Sequence, residues 1–301
     1  MEFFRDIDTY MDFNGSFYKL HVNNVSFNQT FKQKGSKKKT LHTPSSLIEG
    51  SEINEANPAQ FDLELLMVDE SSRYQHYPLQ ALLSNTNDTL TTFDLYIDPS
   101  LASDASRKMY KLTTCVIESG SFTINRGELM IVSLQGSASK LTRQDYTAFN
   151  IGSFITSANT VYAIPKTVNV TIAGTVLDNV TGISLEIQNK IKWTQNNTLQ
   201  NSLTAITATS STYPTSFSLT GREVAGSITT YVGSQVSDIQ TWKEDIGVRI
   251  QAGLAANNYQ LDANLTPCSF TNRVAPTEVF TQAYDFRMTG SPTNLNTLFT
   301  Y

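Results

Sequence analysis

Apolar and polar residues alternate one for one over several short stretches of the chain. Phe61, Leu63, Leu65 and Met67 are interleaved with Asp62, Glu64, Leu66 and Val68; Phe93, Leu95 and Ile97 repeat the rhythm, as do Val170 and Ile172. A period of two places every second side chain on the same face, so these stretches predict strands with one buried face. Pro44, Pro58, Pro99, Pro165, Pro214 and Pro267 punctuate the runs and predict breaks between strands. Helical spacing occurs in two places. Tyr77, Leu79, Ala81, Leu82 and Leu83 surround Pro78, a residue suited to a first helical turn, and Val236, Ile239 and Trp242 recur every three residues.

The same pattern returns along the chain. Ser46-Leu47 and Pro58-Ala59-Gln60-Phe61-Asp62-Leu63 reappear 156 residues later as Ser202-Leu203 and Pro214-Thr215-Ser216-Phe217-Ser218-Leu219. Asn23 to Gln29 faces Asn189 to Gln195 at a shift of 166, the difference falling on a Lys-rich insert, Lys32 to Lys39. Phe93 to Ile97 faces Ile246 to Ile250, Tyr110-Lys111-Leu112 faces Tyr259-Gln260-Leu261, and Ser121-Phe122-Thr123 faces Ser269-Phe270-Thr271. Matches kept in one order predict an internal duplication. The expected units are residues 1–148 and residues 149–301, the second beginning with a linker; each is several antiparallel strands with one helix packed across them.

Composition agrees with a mainly β reading. Of the 301 residues only 16% are charged, with Thr, Ser, Asn and Gln in their place, and β-branched Thr suits pleated sheet while Asn and Ser suit turns. The net charge is -5, so a general grip on nucleic-acid phosphates is excluded, while a mildly acidic surface lets DNA pass without sticking. Cys115 and Cys268 are too few for a disulfide scaffold and fall at matching places in the two halves, so both are expected to be reduced. The acidic N-terminus has no apolar signal region, and no run approaches the length of a membrane helix, which predicts a protein made in the cytoplasm.

Catalytic chemistry is not written into the sequence. The three histidines, His21, His42 and His76, stand near no nucleophile motif, and no P-loop, dinucleotide fingerprint or metal-ligand spacing occurs. The expectation is a protein without enzyme activity, metal or cofactor. The one conspicuous charge cluster is Lys32, Lys34, Lys37, Lys38 and Lys39. It reads as a solvated hairpin tip, as a loop reaching an acidic surface on a neighbouring subunit, or as a phosphate contact.

These features together resemble the major tail tube proteins of long-tailed (siphovirus-like) bacteriophages, in particular the kind whose tube domain is duplicated. The resemblance runs from Phe13 to Tyr301. It is carried by Phe31 to Leu65, with a hairpin leading into Leu41-His42-Thr43-Pro44, by the paired strands of Tyr110 to Arg143 containing Gly136-Ser137-Ala138-Ser139, and by the second copy of that plan. It implies two tandem β-sandwich or half-barrel tube domains, each with a flanking helix. It also implies trimeric, pseudo-hexameric rings stacked into the hollow tail tube of the virion, through which DNA reaches the host. The implied partners are the chain itself, a tape-measure protein, tail terminator or tip proteins, and DNA in transit. Asp62, Glu64 and Asp94 become candidates for the channel lining, although their second-copy counterparts Ser218, Thr220 and Gly247 are neutral. Lys32 to Lys39 becomes a candidate contact between subunits or rings. Two other readings fit the same β-rich plan: a two-domain carbohydrate- or receptor-binding module, and another virion part such as a tail terminator or decoration protein.

Overall fold

The computed structural model describes residues 7–36, 50–67, 77–83, 90–99, 108–145, 154–155, 164–195, 212–232, 242–255, 258–276, 280–290 and 299–300. In chain order the elements are β1 (Asp8–Phe13), β2 (Ser16–Leu20), β3 (Val22–Asn28), β4 (Phe31–Ser36), β5 (Gly50–Ala56), β6 (Ala59–Leu66), α1 (Tyr77–Leu83), β7 (Phe93–Asp98), β8 (Lys108–Asn125) and β9 (Ile131–Asp145). They continue with β10 (Thr167–Ile172), β11 (Thr175–Val176), β12 (Val180–Thr194), β13 (Ser216–Tyr231), β14 (Trp242–Ala255), β15 (Asn258–Pro276), β16 (Phe280–Met288) and β17 (Phe299–Thr300). The protein is mainly β, as the alternation predicts.

Fifteen strands join one antiparallel sheet, and β4 and β5 form a separate hairpin. Neighbours in the first half run β3-β6-β9-β8-β7-β1-β2; in the second they run β12-β13-β16-β15-β14-β10-β11. With the β4–β5 hairpin set aside and strands numbered within each half, both series read 3-4-7-6-5-1-2. Register agrees in detail at two places. Val25 lies opposite Leu63 and Phe27 opposite Phe61, while Ile191 lies opposite Leu219 and Trp193 opposite Phe217. Those partners are related by the same shifts, 166 and 156, that the sequence shows. Phe93 pairs with Cys115 as Ile246 pairs with Cys268.

Both halves also open with a two-residue hairpin. Asn14-Gly15 joins β1 to β2 and Ala173-Gly174 joins β10 to β11, all four with positive φ. That conformation gives a turn whose twist matches the strands it connects.

The halves share one sheet and one core. β12 adds to the edge of β8, with Ile183 opposite Ile124 and Leu185 opposite Phe122, and all four side chains are buried. Buried Asn189 donates from Nδ2 to the carbonyls of Leu82 and Ile117, at 3.1 and 3.0 Å, tying β12 to the helix and to β8. Trp193 Nε1 donates to Ser137 Oγ at 2.7 Å. Hydrogen bonds placed inside an apolar core fix one docking geometry, because any slip leaves a buried amide unpaired.

Three expectations are corrected. Trp242 is not helical: it opens β14, lies opposite Thr271 and is exposed; Val236 and Ile239 fall outside the described residues. Pro267 does not end a strand but lies inside β15, where neither the β14 nor the β16 ladder pairs it. Tyr110-Lys111-Leu112 does not correspond to Tyr259-Gln260-Leu261. Leu112 faces Leu95 as Leu265 faces Val248, four residues further on. The boundary expected between residues 148 and 149 also lies outside the described residues. α1 forms where Pro78 predicts it, with Leu79, Ala81, Leu82 and Leu83 buried.

Candidate functional site

The residues opposite the core make a continuous polar surface across eight neighbouring strands, β3-β6-β9-β8-β12-β13-β16-β15. Register sets the rows. Ser26 lies opposite Asp62, which lies opposite Gln135; Asn24 lies opposite Glu64, which lies opposite Ser133. Ser133 and Gln135 in turn face Ser121 and Ser119, which face Glu186 and Gln188 of the second half. Beyond them, Ser227 pairs with Asp285 and Asp285 with Thr271. Every second residue of each strand points to this side because the pleat alternates, and hydroxyls and amides there are interspersed with charged side chains of both signs.

The charges on this face are paired or balanced. Ser26 Oγ donates to Asp62 Oδ2 at 2.7 Å. Arg273 meets Asp285 at 2.6 Å and Arg287 meets Glu223 at 3.2 Å. Partial burial works against ionisation of Asp285, yet the donors of Arg273 and Ser227 outweigh it and hold the carboxyl below its ordinary range. Lys190 and Lys192 extend from the same side of β12, across from Gly221 and Ser218.

Asp62 and Glu64 therefore stand together on this face. Asp94 does not join them. It lies on β7, where Lys111 Nζ meets its carboxylate at 2.7 Å and the Thr114 backbone N–H donates to it at 2.9 Å. Partial burial disfavours the Lys111 ammonium, but hydrogen bonds to Asp94 and Tyr96 raise its pKa overall. The second-half counterparts of Asp62 and Glu64, Ser218 and Thr220, carry no charge, and register brings Lys192 and Lys190 beside them. Two carboxylates in one half are thus matched by two ammonium groups in the other. Sequence reasoning missed these lysines, although the alternation of Ile183, Leu185, Ile187 and Ile191 with Ser184, Glu186, Gln188, Lys190 and Lys192 carries the same outward-face signal.

The Lys-rich segment begins as strand. Lys32 and Lys34 lie on β4, opposite Glu55 and Glu52 of β5, and Lys32 Nζ meets Glu55 at 2.6 Å. Lys37, Lys38 and Lys39 lie outside the described residues, as do His42 and His76. His21 is half-buried, and burial, with Lys19 nearby, lowers its pKa. Cys115 and Cys268 are free and buried, and burial raises both thiols, Cys268 to about 11. Among the described residues no group of three or more His, Cys, Asp or Glu is placed to hold a metal ion, and no helix is long and apolar enough to cross a membrane.

One wide antiparallel sheet thus has a core on one side and a largely polar face, with charges of both signs, on the other. The class this defines is that of mainly β proteins built on one large antiparallel sheet. The chain belongs to the Bacteriophage Baseplate Tube Protein Family, whose match covers residues 11–300. That family places the protein in the virion and points to a structural role. No curated protein matches the sequence.

Proposed function

We propose that the protein polymerises into rings that stack as a hollow tube segment, with the eight-strand polar face turned to the lumen. In this reading residues 1–148 and 149–301 are two copies of one tube domain. Three chains then close a ring with six similar positions, and DNA passes through it toward the host. The observation that carries the reading is the polar face itself. It is broad, continuous across both halves, and its charges nearly cancel, so a phosphate backbone meets no fixed cationic track to hold it. The identical neighbour order of the two halves supports the duplication, and membership of a baseplate tube family supports the tube.

The chain itself is the main partner, because a heterologous contact repeated around an axis closes into a ring. A tape-measure protein inside the tube, and terminator or tip proteins at its ends, complete the proposed partners. The proposed site of synthesis is the bacterial cytoplasm, before assembly. Negative-stain electron microscopy of the purified full chain tests the reading. Hollow rings, alone or stacked, are expected; monomers at all concentrations refute it. Long filaments favour the major tail tube of a siphovirus-like phage, and short stacks favour a baseplate segment.

A further inference from the structure

The apolar face of the second half runs past the end of its core. Along β16, Phe286, Tyr284 and Gln282 are buried, yet the next residue on that face, Phe280, is 58% exposed. On β15 the same step leads from buried Phe270 through Asn272 to Val274, 57% exposed, and from buried Thr230 of β13 to Val232 just past the strand's end, 46% exposed. These three strands are adjacent. The backbone N–H of Val232 donates to the Phe280 carbonyl at 3.0 Å, and Val274 lies opposite Gln282. Three exposed apolar side chains thus form one short diagonal row, Val232 beside Phe280 and Val274 one step inward, while Trp242, opposite Thr271, lies on the other face of the sheet. Contiguous apolar surface of this kind marks an interaction site.

The chain also shows how such an end is covered. In the first half the corresponding hairpin is β8–β9, and its end is not exposed: Ile124 and Met130 are buried. At Ile124 the cover comes from the second half, because β12 adds to the edge of β8 at Ser119 to Asn125 and sets Ile183 against Ile124. Met130 lies by Met67 of the first half, whose backbone N–H donates to the Met130 carbonyl. In the second half, β15 pairs with β14 only as far as Thr271, and among the described residues nothing pairs with that edge from Asn272 onward. A strand edge that no described residue pairs, beside an apolar row, is suited to strand addition by another chain.

We propose that the row of Val232, Val274 and Phe280, with the adjoining edge of β15, is the surface that receives the first half of a second copy. The contact repeats between chains the packing that β12 and β8 make within one. It is lateral, closing the ring, and not a contact between stacked rings. This inference rests on the ring reading above and names its closing surface.

The test compares the full chain with V274D/F280D by sedimentation and electron microscopy. The expected result is loss of rings, with the double variant sedimenting as a 33.4 kDa monomer whose β circular dichroism is unchanged. Rings from the double variant at the parent's yield overturn the surface and leave the ring reading standing. Absence of rings from the parent overturns both. Should the double variant not fold, a photo-crosslinking phenylalanine analogue at position 280 of the assembled parent decides. Adducts within residues 7–145 of another chain support the proposal; adducts confined to the same chain, or to another chain's second half, overturn it.

Discussion

At the scale of residues, the turn at Ala173-Gly174 holds a testable strain. Ala173 sits at φ 52°, the position that Asn14 occupies in the other hairpin at φ 53°. Asn tolerates the left-handed region better than Ala, whose Cβ crowds the following carbonyl. Ala173→Gly or Ala173→Asn is therefore expected to raise stability by about 0.5–1 kcal/mol in urea unfolding. The ion pairs make a second prediction. Asp262 is held by Arg249 at 2.8 Å and by Gln251 at 2.9 Å. Burial opposes its ionisation, but these donors prevail and lower its pKa. A carboxylate with a depressed folded value stabilises above its unfolded value, near pH 4, and loses that contribution as pH falls through the folded one. Asp262→Asn should cost about 1 kcal/mol or less at pH 7, the pair being partly exposed. The gap from the parent should close in melts below about pH 4.

At the scale of elements, two glycines show how closely the sheet and its core approach. A Cβ at Gly136 would stand 2.3 Å from Phe61 Cζ and 2.4 Å from the Val116 carbonyl oxygen; one at Gly226 would stand 2.4 Å from both Phe286 Cζ and the Ser184 carbonyl oxygen. The ring can shift, but the backbone oxygen is fixed by its strand. Gly136→Ala and Gly226→Ala are each expected to lower stability by roughly 1–3 kcal/mol, read as a drop in melting temperature. The β4–β5 hairpin behaves differently, because it forms its own two-stranded sheet. Shortening it across residues 33–53 should leave the rest folded, with an unchanged melting temperature, while weakening assembly. Tubes of normal length from that variant would remove the hairpin's proposed role between subunits.

Much of the element structure was legible in the sequence. The alternation at Phe61 to Met67 marked β6, Pro78 marked α1, and the shifts of 166 and 156 anticipated which residues pair across β3–β6 and β12–β13. What stayed hidden depends on tertiary ladders. The three-residue spacing ending at Trp242 imitates a helix, but pairing with β15 makes that residue a strand. The Tyr110 and Tyr259 match rests on residue identity, while register aligns Leu112 with Leu265. Of the candidate site, Asp62 and Glu64 were found because alternation alone reveals an outward face. Asp94 separates from them because Lys111 and Thr114 fold its carboxylate into a local network.

At the scale of the whole molecule, one sheet carries two unlike faces. One is apolar and buried, and it is continuous across the halves through β8 and β12; the other is polar, balanced in charge and open. The proposed tube uses both, the first to join neighbouring units and the second to line the passage. A reconstruction of the assembled protein by cryo-electron microscopy tests this most directly, at a resolution that traces strands. The account predicts three chains per ring with Asp62, Ser121 and Glu186 facing a hollow axis. A ring with that face turned outward, or with the axis lined by other strands, would contradict it.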